Sequence, residues 1–435
     1  MLQKRKHRIE RLAGLRYHHK LVISVLVVFG ILALVVLLAK DRETIKLQSA
    51  YGATDARFPA YLAALAGAEP TGGNSFDVLE NGDAFIPAML DAINRARHRV
   101  DFETYIYEKG EVGSAFSGAL AAAARRGVEV NLVVDAVGSK KMSDEDEKSL
   151  KDAGVTVGTF GMPRWYKLQQ VNYRTHRKVL VVDGIEAFTG GAGVADHWLG
   201  HAQDKDHWRD MMVRIRGPLA RLLEGAFNVN LAGTVAPVTL EVEPPREPAG
   251  AAPDSAFVIR SAATGGSNDM KRVYMMAIAS ARRTLDITTP YFLMDASSKW
   301  TFAQAAARGV RVRILVEGDR TDARIVKYAS RNDYQKLMDE GIEIYEYQPT
   351  MMHTKAMVVD GTWSMFGSAN FDNRSLELND ELNVAVSDPG VAARLTAAFE
   401  DDVRQAKRLD PREWPKRPLL DKVRESFWSY FAEVF

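Results

Sequence analysis

Two short stretches of the sequence carry the same chemistry-bearing residues at the same spacing. Each reads histidine, any residue, lysine, four residues and then aspartate, and a cluster of small residues follows. The residues are His176, Lys178 and Asp183 in the first copy and His353, Lys355 and Asp360 in the second. Two such matches at equivalent places in one chain are far rarer than chance allows, so we interpret them as two halves of one pocket.

The spacing predicts where these side chains point. Histidine and lysine two residues apart on a strand project from the same face. Asp-Gly is a strong hairpin signal, so the chain is predicted to double back toward the small-residue cluster. Gly191 and Gly193 stand in the first cluster where the second has Ser368 and Asn370, which predicts an asymmetric pocket.

This set of side chains suits phosphoryl or phosphatidyl transfer. One imidazole attacks phosphorus, the other protonates the leaving alkoxide, and the two ammonium groups stabilise the non-bridging oxygens. An imidazole with a pKa near 6.5 can serve as nucleophile or acid near neutral pH. The lysines take the part that a divalent cation would play, so we expect no metal and no other cofactor.

The elements around the motifs repeat as well. An alanine-rich helix, a β-branched strand and a helix ending in glycine occur in the same order before each motif, which predicts α/β domains with helices covering a largely parallel sheet. Five prolines between Pro237 and Pro253 mark a linker between the halves. The chain of 435 residues has a net charge of +1 and no cysteine, which excludes thiol chemistry and gives no broad basic surface for nucleic acid.

The duplicated motif resembles that of the phospholipase D superfamily over roughly residues 76–404. Segments such as Thr289–Phe292 are similar to the bacterial cardiolipin synthase branch. The resemblance implies two α/β/α sandwich domains related by a pseudo-two-fold axis. It also implies an enzyme that joins two phosphatidylglycerol molecules through a phosphatidyl-histidine and works on an anionic phospholipid membrane.

The same resemblance assigns roles to single residues. His176 is the expected nucleophile and His353 the general acid and later base, while Lys178 and Lys355 bind phosphate. Asp210 and Glu381 are the expected carboxylates that orient the histidines. The aspartates Asp183 and Asp360 belong to the catalytic motif but are expected to fix the hairpins. Ser368 and Asn370 support the second copy only, so the order in which the histidines act stays open.

Other functions remain open at this level. A hydrolase of the same fold would pass the phosphatidyl group to water, and a nuclease would cleave DNA instead. A catalytically silent membrane scaffold is a third hypothesis. The sequence indicates neither the acceptor alcohol nor any protein partner, and its balanced charge argues against nucleic acid.

Residues 21–39 form an uncharged apolar run that predicts a single transmembrane helix. Seven basic residues precede it and four follow within twenty residues, which predicts a cytoplasmic N-terminus, an inner-membrane location and extracytoplasmic catalytic domains. The predicted segments are a basic N-terminus (1–20), the membrane helix (21–39), a linker (40–75), the first domain (76–235), a Pro-rich linker (236–256), the second domain (257–405) and an amphipathic C-terminal segment (406–435).

Two further patterns have open interpretations. His197 and His201 have a spacing that can bind metal on a helix, although Gly200 weakens a helix there, and a polar loop beside the pocket fits better. Apolar residues from Leu419 to Val434 recur at near-helical spacing. This pattern fits a helix on a membrane surface or a helix packed on its own domain.

Overall fold

The computed structural model describes residues 20, 22–25, 27–30, 45–161, 173–235, 255–261 and 269–431. The chain divides into two compact units, Met1–Ile45 and Lys46–Phe435. In the first unit, residues 22–25 and 27–30 are helical. Nearly all of the predicted basic N-terminus and residues 236–254 of the predicted Pro-rich linker lie outside the described residues.

The prediction of a single-pass inner-membrane protein is corrected here. A helix needs about 20 mainly apolar residues to cross the hydrocarbon core of a bilayer. In the part of the chain that the structure describes, no helix has the length and apolarity for such a crossing. Residues 21, 26 and 31–39 of the predicted span lie outside the described residues.

Two mixed sheets form the centre of the second unit. The first sheet has the strand order β1-β7-β6-β5-β2-β3-β4 and the second β15-β11-β10-β9-β12-β13-β14-β8. The strands are β1 Ser75–Glu80, β2 Arg99–Thr104, β3 Glu129–Asp135, β4 Thr156–Phe160, β5 Val179–Val182, β6 Glu186–Gly190, β7 Met211–Arg216, β8 Ser255–Arg260, β9 Thr284–Thr288, β10 Arg311–Glu317, β11 Glu343–Tyr347, β12 Ala356–Val359, β13 Trp363–Gly367, β14 Leu382–Ser387 and β15 Ala406–Arg408.

The alternation of helices and strands predicted largely parallel sheets, and this prediction is wrong, because both sheets are mixed. Only β2, β3 and β4, and likewise β9, β10 and β11, run parallel. The Asp-Gly turns join β5 to β6 and β12 to β13 as hairpins, and the strands beyond them are also antiparallel. Reversal of direction at each motif aspartate therefore makes half of each sheet antiparallel.

The two sheets repeat one topology. Strand β8 occupies in the second sheet the edge place that β1 has in the first, and β15 adds one strand at the opposite edge. The expected duplication of an α/β fold is therefore present in the described residues.

Helices cover both faces of each sheet. The helices are α1 Phe58–Leu65, α2 Asn81–Arg95, α3 Glu111–Arg125, α4 Asp144–Asp152, α5 Leu219–Thr234, α6 Asp269–Ser280, α7 Ala296–Ala307, α8 Arg324–Arg331, α9 Tyr334–Asp339, α10 Pro389–Arg404 and α11 Leu419–Ser429. Helices α5 and α10 share a core with apolar residues from both sheets. Helix α1, in the stretch predicted as a linker, places Phe58 and Leu62 in the core of the second half.

The halves contact each other reciprocally. The backbone N–H of His176 donates to the carbonyl of Asp380 at 2.8 Å, and that of His353 donates to the carbonyl of Arg209 at 2.8 Å. Each motif thus pairs with the segment that precedes the last long strand of the other half. Such reciprocity is what a pseudo-two-fold relation requires, and it brings the two motifs together.

Candidate active site

The His-x-Lys residues lie in extended segments directly before β5 and β12 rather than on the strands themselves. Here the backbone leaves its own sheet and pairs with the other half, through Thr175 with Asp380 and through Met352 with Arg209. In an extended chain successive side chains point to opposite sides, so Arg177 points away from His176 and Lys178. Its buried guanidinium donates to the carbonyl of Ala226 at 2.9 Å.

The first imidazole is oriented by a carboxylate from the second half. His176 Nδ1 lies 2.9 and 3.0 Å from the two carboxylate oxygens of Glu381. An ionised carboxylate only accepts hydrogen bonds, so Nδ1 is the donor and Nε2 is left free. Glu381 is itself held by the Ser368 hydroxyl at 2.5 Å and the Asn379 amide at 3.3 Å.

The second imidazole is oriented by a carboxylate from the first half. His353 Nδ1 donates to Asp210 Oδ2 at 2.7 Å. The same oxygen accepts the Trp198 indole N–H at 3.0 Å, and Oδ1 accepts the Met211 backbone N–H at 2.8 Å. Asp210 and Glu381, the carboxylates expected from sequence, therefore each accept a hydrogen bond from a histidine of the other half.

The two glycines of the first small-residue cluster make room for this second pair. A Cβ on Gly191 would collide with the carboxylate of Asp210. A Cβ on Gly193 would lie 3.0 Å from the carbonyl of Ile106 and 3.1 Å from the Trp198 ring. Trp198 thus supplies to Asp210 the hydrogen bond that Ser368 supplies to Glu381. The asymmetry predicted from sequence is compensated by the indole, a role that sequence reasoning missed.

Burial sets the protonation of both pairs. It lowers the pKa of His176 to about 4 against the opposing pull of Glu381, and lowers the pKa of His353 to about 3 with the charge of Lys355 adding to it. Burial alone would raise the pKa of Glu381 and of Asp210, but their histidine partners and the lysines outweigh it, so both pKa values are lowered. Each pair is therefore a neutral imidazole beside a carboxylate near pH 7, with Nε2 available as a nucleophile.

The two lysines are buried beside the imidazoles. Lys178 Nζ donates to the carbonyl of His176 at 2.7 Å, and Lys355 Nζ donates to that of His353 at 2.6 Å. Burial and the charge of the other lysine lower the pKa of Lys178 to about 7, while burial lowers that of Lys355 to about 8 against the attraction of Asp210 and Glu381. A bound phosphate anion would restore their positive charge, because it replaces the lost hydration with an opposite charge.

A cavity of ≈ 270 Å³ opens onto this centre, and His176, Lys178 and His353 are among the residues that line it. Asn370 also lines it, and the buried Oδ1 of its side-chain amide has no hydrogen-bond partner among the described residues. Tyr105 packs edge-on against the His176 ring, with the ring centres 5.0 Å apart. The cavity is large enough for a phosphodiester and part of a headgroup, and it exposes polar groups to bind one.

Sequence reasoning missed an acidic side of the same cavity. The Tyr291 hydroxyl donates to Asp322 at 2.6 Å, and both residues line the cavity together with Asp372. Burial raises the pKa of Asp372 to about 6, although backbone and hydroxyl groups of Ser375 oppose it. A sequence signal was available for the tyrosines only. Tyr105 and Tyr291 follow shortly after β2 and β9, the strands that pair with β5 and β12, so their positions predict side chains near the motifs.

The motif aspartates lie at the far ends of β5 and β12 from the lysines. The Asp183 carboxylate accepts the backbone N–H groups of Arg97, His98 and Arg99 at 2.8 to 3.0 Å. Asp360 receives the equivalent three hydrogen bonds from residues 282–284. Both adopt positive φ at the hairpin turn, 51° and 53°. This geometry fits the expectation that they fix the hairpins.

The two histidines considered for metal binding have different surroundings. The His197 ring packs at a tilt against both Trp198 and Trp208, with ring centres 4.2 and 3.9 Å away, and burial lowers its pKa to about 4. His201 is exposed and pairs with Asp83 at 3.2 Å. His197 therefore belongs to the aromatic wall behind His353.

The sequence is similar to those of known proteins. The sequence matches the family described as "Cardiolipin synthase, PLD-like domain" over residues 89–227 and 274–403. It is 32% identical over 362 residues to the "Probable cardiolipin synthase YwiE" of Bacillus subtilis (strain 168), which covers 83% of this chain and 72% of that protein. It is 34% identical over 354 residues to "Cardiolipin synthase A" of Pseudomonas putida (strain W619), which covers 80% of this chain and 73% of that protein.

The fold is similar to a solved structure as well. The crystal structure of phosphatidylserine synthase from Haemophilus influenzae Rd KW20 superposes with a TM-score of 0.67 at 14% identity, and the match covers 88% of this chain and all (100%) of that one. At this identity the similarity concerns the fold alone.

Proposed function

The chain belongs to the PLD-like family of cardiolipin synthases, and from this premise we propose that it joins two phosphatidylglycerol molecules into cardiolipin and releases glycerol. It is an enzyme, a transphosphatidylase of the phospholipase D superfamily. The observation that carries the proposal is the pair of neutral imidazoles, each oriented by a buried carboxylate, that line one cavity with Lys178.

In the first step we propose that His176 is the nucleophile. Glu381 holds the Nδ1–H, so the lone pair of Nε2 is free to attack phosphorus. A P–N bond forms and the bond from phosphorus to the oxygen of the headgroup glycerol breaks. His353 gives that oxygen a proton, and glycerol leaves. Lys178 and Lys355 stabilise the charge on the non-bridging oxygens.

In the second step the same groups work in reverse. The hydroxyl of a second phosphatidylglycerol attacks phosphorus, His353 takes its proton, and the P–N bond breaks to release cardiolipin. Burial lowers the pKa of His353 to about 3 in the free protein. The proton used in the first step must therefore be gained in the complex, where the negative phosphodiester raises the pKa of this imidazole.

The direct test is purified protein with phosphatidylglycerol vesicles, with the lipid products identified by mass spectrometry. Cardiolipin and glycerol should form in equal amounts. His176→Ala and His353→Ala should each lower the rate by several orders of magnitude, because the two imidazoles act as one unit. His201→Ala is the matched control and should keep the rate, since the His201 ring is exposed and pairs with Asp83 at the surface.

The alternatives have distinct products in the same assay. Phosphatidic acid in place of cardiolipin would identify a hydrolase. Degraded DNA with unchanged lipid would identify a nuclease, and no turnover of any lipid by the intact protein would favour a binding scaffold.

A further inference from the structure

The C-terminal helix α11 is docked on the protein by its polar side. The only buried residue of this helix is Glu425, which is 1% exposed. Its carboxylate pairs with Arg417 and lies 3.8 Å from Arg331 of helix α8. Both guanidinium groups stack on the ring of Trp414, at 4.2 and 4.7 Å. A buried network of charges and one indole therefore fixes the orientation of the helix.

The apolar side of α11 faces away from the protein. Five large apolar residues on this side are 75, 59, 56, 52 and 42% exposed, and these residues, here called the apolar stripe, are Leu419, Leu420, Val423 and Phe427 of the helix and Tyr430 directly after it. Trp428 lies outside the stripe and is only partly exposed. At about 100° per residue they fall within one third of the helix circumference, and Glu425 lies on the opposite side. The normal arrangement of a surface helix is thus inverted, and a contiguous apolar surface of this kind indicates a binding partner.

The charges beside the apolar stripe favour an anionic partner. From residue 412 to residue 425 the chain has five basic and three acidic residues. Arg417 and Glu425 pair with each other against the protein, which leaves four basic and two acidic residues near the stripe. Arg424 lies at one edge of the stripe, and Lys422 lies beyond the other edge. Basic side chains beside aromatic and aliphatic ones are typical of helices that lie in the interface of an anionic bilayer. A second copy of the chain would bring an equally basic segment against this one.

Helix α11 is also close to the active-site cavity. It packs on α8, a helix of eight residues that spans about 12 Å. Val326 of α8 lines the cavity, and Arg331 at the end of the same helix contacts Glu425. The surface on which α11 packs is therefore separated from the wall of the cavity by no more than about the length of α8.

We propose that the apolar stripe of α11 docks on the surface of an anionic phospholipid bilayer, with the helix lying along the interface and the cavity brought near the lipid headgroups. The purpose of this contact rests on the proposed function, since a phosphatidyltransferase must meet its substrates in a lipid phase. The contact itself rests on the exposed apolar residues, the neighbouring basic residues and the position of α8.

A label on the stripe tests the contact without any turnover. The chain has no cysteine, so Val423→Cys can be labelled with an environment-sensitive fluorophore in the full-length protein. Ser149→Cys on α4 is the matched control, because it is also exposed. With vesicles containing phosphatidylglycerol, the label at residue 423 should shift to shorter wavelength and brighten several-fold. The shift should be weaker with phosphatidylcholine alone, and the label at residue 149 should not respond.

Several results would overturn the proposal. One is no response at residue 423 to anionic vesicles. A second is a label that is shielded before lipid is added and becomes exposed on dilution, which would mean that a second copy of the chain covers the stripe. A third is a label that responds to an added protein but not to lipid.

Substitution of the stripe tests its use. Val423→Ser combined with Phe427→Ser should lower turnover of phosphatidylglycerol in vesicles about tenfold or more, because two apolar anchors are lost. Turnover of a short-chain phosphatidylglycerol dissolved as monomers should stay within twofold, since neither residue lines the cavity. Equal losses on both substrates would contradict the proposal. Docking of the label without any cardiolipin formed would instead contradict the proposed function alone.

Discussion

The carboxylate of Asp210 offers a sharp test of the active-site geometry. Within the described residues, the carboxylate accepts three hydrogen bonds, from His353 Nδ1, the Trp198 indole and the Met211 backbone N–H. In Asp210→Asn the amide oxygen can still accept from His353 and Trp198, but the NH₂ group then faces the N–H of Met211. The imidazole keeps its tautomer, while the negative charge beside it is lost.

The size of the effect follows from that charge. Two opposite unit charges about 4 Å apart attract each other by about 4 kcal/mol at an effective dielectric constant near 20, which sets the scale for a protonated His353 beside an ionised Asp210. Loss of this attraction should lower the rate of every step that protonates His353 by about three orders of magnitude. The unpaired N–H of Met211 adds about 1 to 3 kcal/mol of destabilisation of the folded state.

The assay compares two leaving groups. With phosphatidylglycerol, kcat of Asp210→Asn should fall about 1000-fold, because the glycerol alkoxide needs a proton. With a phosphatidyl ester of p-nitrophenol, release of nitrophenolate in the first turnover should fall much less, because this leaving group departs without a general acid. A loss below tenfold with phosphatidylglycerol would refute the role given to Asp210. Equal losses with both leaving groups would refute the role of His353 as the acid.

Three further predictions concern the surroundings of this centre. Gly191→Ser copies the residue of the second cluster but collides with Asp210, so it should destabilise the protein by about 1 to 3 kcal/mol in chemical unfolding and lower kcat strongly; unchanged kcat would contradict this packing. Trp198→Phe removes the indole N–H donated to Asp210 and should lower kcat about tenfold with little change in KM; a rise in KM alone would mean a role in substrate binding instead. The pKa of Lys178 is about 7 and that of Lys355 about 8, so both lysines lose their charge as pH rises from 7 to 9. Because neutral lysines no longer bind the phosphodiester, kcat/KM should fall over this range. A kcat/KM that rises from pH 7 to pH 9 would contradict this role.

The motif and its duplication were sufficient to predict the family and the two α/β domains, and the structure brings the residues of the two motifs together. Residue types at fixed spacing carry this information, because His176 and Lys178 must project together and Asp183 must turn the chain. The mixed character of the sheets was missed, since the helix–strand rhythm before each motif indicates parallel strands only. The hairpins that follow each Asp-Gly turn add antiparallel strands to the same sheet.

The pairing across the halves could not be predicted from spacing. His176 and Glu381 are 205 residues apart, and Glu381 lies no nearer in sequence to its partner than many other acids. The resemblance indicated Asp210 and Glu381 as the orienting carboxylates but did not indicate which imidazole each one orients. The place of Trp198 was missed for a similar reason, because its neighbour His197 suggested a polar loop. Only the packing around Gly191 and Gly193 shows that an indole replaces a serine hydroxyl.

The central claim is that the phosphatidyl group passes through His176. The most direct measurement is mass spectrometry of peptides from His353→Ala and His176→Ala after reaction with the p-nitrophenol ester and an alkaline quench. In His353→Ala the first step needs no acid and the second lacks its base, so a phosphatidyl adduct should accumulate on the peptide that contains His176. In His176→Ala no adduct should form. An adduct on His353 in the second variant, with none in the first, would contradict the account.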